Sequence, residues 1–398
     1  MNHKKHKLCP LLWKHLCVNT TGSIKPCCEF PVTNIDRDTL DPNKTLEQEF
    51  NSDYLKGIRQ AMLDGDSYEV CDKICYQKEK QGYNSKRLHE ITKYEEEYGQ
   101  AFTGKETTEG NIDEIDYLDF KPSNFCNSKC VMCNNNRSSQ FALESKKHRF
   151  YSGPIMVGGW YEKNKHKIEP LFKNVWRFKL NGGETSVMPE FEEIVKGVAK
   201  AKSKRSNLIL NINNTVDLTE YHEYLKDIHH VSIVHSIEGY GKENEYIRFP
   251  AKWDIVYENI KKMYAYAQVN KNITPVFGML VMSLNYKTFP FAFEKLYTEF
   301  PNRVGTYIGH IHQPEPWLVN GLTEKELEEG LKNLETVMDR LPEKYSSRLA
   351  DTHLFYKEAV RKGSNRRIRR QMQESIRHLD QVRNINIKDF IDIEVEDA

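Results

Sequence analysis

The sequence has no apolar run long enough to cross a membrane. A helical span needs about twenty largely apolar residues, and the longest candidate, Ile273 to Leu284, is interrupted by Pro275 and Gly278. A charge excess is missing as well: 58 Lys and Arg stand against 57 Asp and Glu, for a formal net charge of +1. Proteins held mainly by a nucleic-acid backbone or an anionic membrane carry a large basic excess, so neither is an expected partner. The basic start, Asn2 to Lys7, is followed by only six mostly apolar residues before Lys14 and His15, too few for a signal-peptide core. The expected compartment is the cytoplasm. Cysteine is absent after Cys133, which is the last of the nine. An odd number in a reducing compartment points to metal or redox chemistry rather than to disulfides.

The 398 residues, 38% of them hydrophobic, can bury the core of one large domain or two ordinary ones. Residues 1–110 read as a first unit. Within it, Thr45 to Asp64 carries Phe50, Tyr54, Leu55, Ile58 and Met62 at helical spacing with Gly65 as a stop. The polar stretch from Cys75 to Gly110 reads as a linker or helical bridge. From Ile112 the texture changes. Strands are expected at Ile115 to Phe120, Val175 to Leu180, Leu208 to Ile212, His230 to Ile237, Thr274 to Met282 and Val304 to Ile311. Between them lie helical patterns, the clearest starting at Pro189 with Phe191, Ile194, Val195, Val198 and Ala199 on one face; others run from about Asp254 to Val269 and Thr288 to Phe300. Six strands alternating with helices make an α/β fold with a parallel sheet, doubly wound or a partial barrel over residues 111–322. Residues 323–398 read as a helical C-terminal extension, with Leu327, Leu331, Leu334 and Met338 near one face and a basic stretch from Arg361 to Arg370.

The strongest chemical signal is Cys126-Asn127-Ser128-Lys129-Cys130-Val131-Met132-Cys133. Three thiolates on one short loop can hold three irons of a 4Fe-4S cube and leave the fourth without a protein ligand, open to a substrate. A structural zinc site wants four closed ligands, and the next candidate, His148, lies well beyond the loop.

This C-x3-C-x2-C motif resembles that of the radical S-adenosylmethionine (radical SAM) enzymes, in which the amino and carboxylate groups of the cofactor chelate the open iron. Asn181-Gly182-Gly183-Glu184, after the second strand, resembles that family's GGE motif, which receives the cofactor's amino group. Ser236-Ile237-Glu238-Gly239 resembles the family's S-x-D-G, with Glu238 in place of Asp. Arg248 resembles an arginine that pairs with the cofactor carboxylate, and Asn213-Asn214-Thr215 resembles a T-N-G turn facing the cofactor. The residue before the last motif cysteine is usually aromatic; here it is Met132, whose thioether can still pack against adenine. The resemblance implies a partial (β/α)6 TIM-like barrel. Cys126, Cys130 and Cys133 would serve as cluster ligands and catalytic residues, and Met132, Asn181, Gly182, Gly183, Glu184, Asn213, Ser236 and Arg248 as cofactor contacts.

A second constellation lies near the N-terminus, where Cys9, Gly22 and Cys27 are followed after a long gap by Cys71-x3-Cys75. Four thiolates can close around one cluster, or around zinc. The surrounding words, Cys9-Pro10-Leu11, Pro26-Cys27-Cys28, Asn51-Ser52 and Cys71-x3-Cys75, resemble the twitch and SPASM modules that carry an auxiliary 4Fe-4S cluster in radical SAM enzymes. Cys28 stands beside Cys27 as an alternative ligand, and Cys17 is a spare or another alternative.

The resemblance implies an enzyme that cleaves S-adenosylmethionine reductively to a 5'-deoxyadenosyl radical, which abstracts a hydrogen from a substrate. An external one-electron donor such as a flavodoxin or ferredoxin would serve it, and a peptide or protein side chain is the favoured substrate over a sugar, a nucleotide or another small molecule. A zinc-binding adaptor without catalysis is the competing class. Gly99-x4-Gly104-Lys105 is not a phosphate-binding loop, because Glu106 stands where Ser or Thr must bind magnesium. His310 and His312 can share one face of a strand end at the barrel mouth. Arg361, Lys362, Arg366, Arg367, Arg369 and Arg370 read as a solvated helix face or as a site for phosphate or an acidic peptide.

Overall fold

In the computed structural model, residues 7–30, 39–104 and 115–393 are described. The boundary expected near residue 110, and Lys105 and Glu106, lie outside them. Eight strands form one sheet in the order β2-β1-β3-β4-β5-β6-β7-β8. The six expected strands are all present, as β3 (Tyr117–Phe120), β4 (Arg177–Leu180), β5 (Asn207–Ile212), β6 (His230–Ser236), β7 (Ile273–Val281) and β8 (Gly305–His310). They pair in parallel and in chain order. Two further strands come from the N-terminal cysteine-rich region. β1 (His15–Val18) pairs in parallel with β3, and β2 (Ile24–Lys25) pairs antiparallel with β1. The sheet is open, with β2 and β8 at its edges.

Alternation within the strands decides which face meets the helices. Phe178, Leu180, Leu208, Leu210, Val231 and Ile233 are fully buried on the outer face, whereas Arg177, Lys179, Ile209, Asn211 and Val234 line an interior cavity. Tyr117 of β3 and Tyr307 of β8 line that same cavity, so the sheet curls into a partial barrel.

The outer helices follow the expected pattern with local differences. The helix expected from Thr45 is two helices, Leu46–Phe50 and Asp53–Leu63. Ser52 breaks them because its side chain accepts the Leu55 N–H and starts the second. The helix after Pro189 begins at Phe191 and ends at Ala201. The polar stretch after Cys75 is largely helical: Lys86–Tyr98 forms a helix that Gly99 closes in the left-handed conformation, φ 64°. The C-terminal extension forms the helices Glu324–Arg340, Ala350–Lys362 and Arg366–Arg383.

Neither terminal region keeps a core to itself. Leu12, Trp13, Leu16, Val18, Ile58 and Met62 pack in one apolar cluster with the outer faces of β3 to β6, and the C-terminal helices share a second cluster with β7 and the helix Trp253–Val269. No helix among the described residues is long and apolar enough to cross a membrane.

Candidate active site

The three motif cysteines sit between β3 and the helix Ser139–Lys147, at the strand C-terminal ends where parallel sheets place ligands. Ser138 caps that helix by accepting the Phe141 N–H at 3.0 Å, and its hydroxyl donates to the Ser128 carbonyl at 2.6 Å. The Cys126 N–H donates to Ser139 Oγ at 3.1 Å, and the Ser128 N–H donates to Cys126 Sγ at 3.4 Å. Across the loop, the Lys129 and Val131 N–H groups donate to the Phe249 and Ile247 carbonyls at 2.8 and 2.9 Å. Trp317 Nε1–H donates to the Val131 carbonyl at 2.8 Å, and Arg383 Nη2 to the Lys129 carbonyl at 2.6 Å. The C-terminal extension therefore helps to fix the cysteine loop.

Burial pushes the Cys126 and Cys133 thiols up to about 12, with the Cys130 thiol adding to the rise in both. Burial also raises Cys130, against the pull of the nearby Arg248 guanidinium. Such thiols stay neutral until a soft cation displaces their protons. Three sulfurs on one loop, Cys126 buried and already receiving an amide N–H, Cys130 and Cys133 half-buried, form a donor set that fits iron-sulfur ligation.

Asn181-Gly182-Gly183-Glu184 packs directly on this loop. The Gly183 N–H donates to the Ser123 carbonyl at 3.1 Å and the Glu184 N–H to the Phe125 carbonyl at 2.8 Å. A Cβ at Gly183 would lie 2.1 Å from the Phe125 carbonyl oxygen, and at Gly182, φ +145°, one would lie 2.6 Å from the Ser123 oxygen. Only glycine lets the two segments approach this closely. The buried Glu184 carboxylate accepts the Asn213 N–H at 2.7 Å on Oε2, and on Oε1 the Ser186 N–H at 3.1 Å and hydroxyl at 2.5 Å. Burial raises its pKa against these donors. Asn213 Nδ2 donates to Asn127 Oδ1 at 2.8 Å and to Ser128 Oγ at 2.9 Å, so its side chain is turned onto the cysteine loop. Ser236 ends β6, and Met132 packs half-buried against the second core. Arg248 Nη2 donates to Glu238 Oε1 at 2.9 Å, and Nε pairs with Oε2.

The N-terminal cysteines divide into two groups. Cys9, Cys27, Cys71 and Cys75 line one small cavity together with Arg87, whereas Cys28 does not line it. Cys71 and Cys75 are brought to one side by a helical turn that widens at Asp72–Tyr76. Burial raises all four thiols, Cys71 to about 12. Cys17 lies apart, fully buried in β1.

The interior cavity measures about 710 Å³. Lys86, His89 and Glu90 reach it from the helix Lys86–Tyr98, and Asp351 and Phe355 from the helix Ala350–Lys362. Glu90 forms ion pairs with Arg177 and Lys86. His310 and His312 both line the cavity, with His310 stacked on Phe355 at 4.1 Å between ring centres and His312 Nε2 3.4 Å from Lys78 Nζ. The basic face pairs mostly with its own neighbours: Arg361 with Glu358, Arg367 with Glu315, Arg369 with Glu326 and Arg370 with Glu374.

Residues 120–289 match the family model described as the Radical SAM superfamily. These residues are a radical SAM domain. They contain the cysteine loop, the Gly-Gly-Glu turn, Ser236 and Arg248. Among solved structures, the chain is similar to anSMEcpe with bound AdoMet and the Cp18Cys peptide, at 17% identity over 55% of this chain and 57% of that one, TM-score 0.35. It is also similar to Streptococcus suis SuiB bound to its precursor peptide SuiA, at 12% identity over 82% of this chain and 68% of that one, TM-score 0.34. The chain thus spans little more than half of the anSMEcpe chain. No curated protein matches it.

The structure gives Glu238 a partner, Arg248, that sequence did not show, and adds Arg383, which reaches the radical SAM domain's cysteine loop from the far end of the chain. The charged side chains on the inner face of β3 and β4, Asp119, Arg177 and Lys179, had a signal available: charges alternating with apolar residues inside a strand mark a polar interior.

Proposed function

We propose that the chain is a radical SAM enzyme whose substrate, a peptide or protein side chain, enters the interior cavity below the cysteine loop. The observation that carries this reading is the direct packing of Gly182-Gly183-Glu184 on Ser123 to Phe125, the segment that leads into Cys126, at the strand ends above the cavity. A 4Fe-4S cluster on Cys126, Cys130 and Cys133 with S-adenosylmethionine, when bound, supplies a hydrogen-abstracting radical. The protein's own task is placement. Glu184 and Asn213 set the turn facing the cofactor, with Ser236 and Met132 on neighbouring elements. Arg248, held by Glu238, keeps a cation beside Cys130. The cavity's size suits a side chain with flanking atoms, and its paired charges and three imidazoles, His89, His310 and His312, can orient a polar group.

In this reading residues 1–110 carry an auxiliary 4Fe-4S cluster on Cys9, Cys27, Cys71 and Cys75, with zinc as the alternative; residues 111–322 are the barrel; and residues 323–398 brace it. Nine free cysteines suit a reducing compartment, the cytoplasm, where a flavodoxin or ferredoxin would deliver the electron. The substrate class is tested with S-adenosylmethionine, a reductant and a cell extract that raises 5'-deoxyadenosine formation. Protease treatment of the extract should abolish the rise; its survival would favour a sugar or nucleotide.

A further inference from the structure

Cys17 has no place in either cysteine group, yet it is not isolated. His15 and Cys17 alternate along β1 and so face the same side of the sheet, and Cys17 stands in register with Asp119 of β3. One ligand atom from each of His15, Cys17 and Asp119 lies within 4.8 Å of the others, and all three residues are fully buried. Both ring nitrogens of His15 lack a hydrogen-bond partner, and so does Asp119 Oδ2. Asp119 Oδ1 is occupied, receiving Asn181 Nδ2 at 2.9 Å and Lys121 Nζ at 3.2 Å, which leaves Oδ2 as the free oxygen. His15 is fixed by stacking on Tyr117 at 4.3 Å. Buried polar atoms are ordinarily paired, and leaving three of them unpaired in one place forfeits their solvation without return.

We propose that His15, Cys17 and Asp119 bind a zinc ion. Nitrogen, sulfur and oxygen donors bound to one tetrahedral zinc lie roughly 3.4 to 3.7 Å apart, so side-chain adjustments of about an ångström close the site. The ion displaces the Cys17 thiol proton to solvent, and the thiolate offsets its charge together with the carboxylate, which Lys121 shares on Oδ1. An imidazole, a thiolate and a carboxylate form a mixed set suited to a borderline cation such as zinc rather than to calcium or magnesium. The site joins β1, flanked by Cys9 and Cys27, to β3, which leads into the Cys126 loop, and it touches the Gly-Gly-Glu turn through Asn181. It therefore pins the N-terminal cysteine group against the radical SAM domain.

The full chain, reconstituted anaerobically with iron and sulfide, is titrated with zinc chloride, freed of loose metal and measured for zinc, iron and the zinc X-ray absorption edge. The expected result is about one zinc per chain with a shell of one sulfur and lighter donors. Cys17→Ala and Asp119→Asn should each lose that zinc with iron content unchanged. Absence of zinc from the wild type, or a shell of sulfur alone as Cys9, Cys27, Cys71 and Cys75 would give, overturns the proposal. The wild-type spectrum decides this even if a variant fails to fold.

Discussion

Glu238 and Arg248 form a two-point ion pair beside Cys130, with Nη2 to Oε1 at 2.9 Å and Nε to Oε2. Both side chains are largely buried, and the Arg248 guanidinium acts on the Cys130 thiol. The longer Glu where S-x-D-G has Asp thus has a partner. Removing one member of a buried pair strands the other charge and costs about 3 to 5 kcal/mol. Glu238→Ala should lower the denaturant midpoint and release iron from the Cys126 loop, whereas Glu238→Gln, which keeps a hydrogen-bonding oxygen, should lose less. Equal stability of all three proteins would show that the pair contributes nothing.

Gly183 is the contact point between the Gly-Gly-Glu turn and the segment that leads into the cysteine loop. Its Cβ position is 2.1 Å from a backbone oxygen, which cannot move away as a flexible side chain can. Gly183→Ala should displace the turn or the loop and lower S-adenosylmethionine cleavage by at least about tenfold, roughly 1.4 kcal/mol of lost transition-state stabilisation. Steady-state formation of 5'-deoxyadenosine measures it; an unchanged rate would mean that the two segments need not touch.

The auxiliary cysteines give a prediction that separates neighbours in sequence. Cys27 shares a cavity with Cys9, Cys71 and Cys75, and Cys28 does not. Cys27→Ala should lose about four irons per chain, while Cys28→Ala keeps them. The reverse pattern in iron and sulfide analysis would reassign the ligand.

His235 titrates in a way that can be followed. It is fully buried, its Nδ1 lies 2.5 Å from Asn214 Oδ1, and burial lowers its pKa from 6.5 to about 3. The unfolded chain takes up the proton first as the pH falls. The stability that neutral His235 contributes is therefore complete above pH 6.5 and lost as the pH drops toward 3, at about 1.4 kcal/mol per pH unit for one proton. Denaturant unfolding of the metal-free protein across that window should show a shallower slope for His235→Gln. Parallel slopes would place the titration elsewhere.

The barrel strands were legible because each is a run of β-branched, aromatic or leucine residues bounded by turn signals and separated by an amphipathic helix. β1 was not. His15–Val18 follows a helical turn directly, and its partner Tyr117–Phe120 is far along the chain, a pairing that no local pattern encodes. The cysteine words were legible since thiol spacing within one loop is local. The Glu238–Arg248 pair and the reach of Arg383 to Lys129 were not, because side-chain partners depend on tertiary approach. The same holds for Cys17: sequence leaves it as a spare or an alternative ligand, and only the register of β1 against β3 brings it to Asp119.

The most direct test compares S-adenosylmethionine cleavage by the reconstituted wild type and the Cys126, Cys130 and Cys133→Ala triple variant, with iron counted in both. The wild type should form 5'-deoxyadenosine and hold about eight irons, and the variant should form none while keeping about four in the N-terminal group. Cleavage that persists in the triple variant would contradict the assignment of this loop as the catalytic centre.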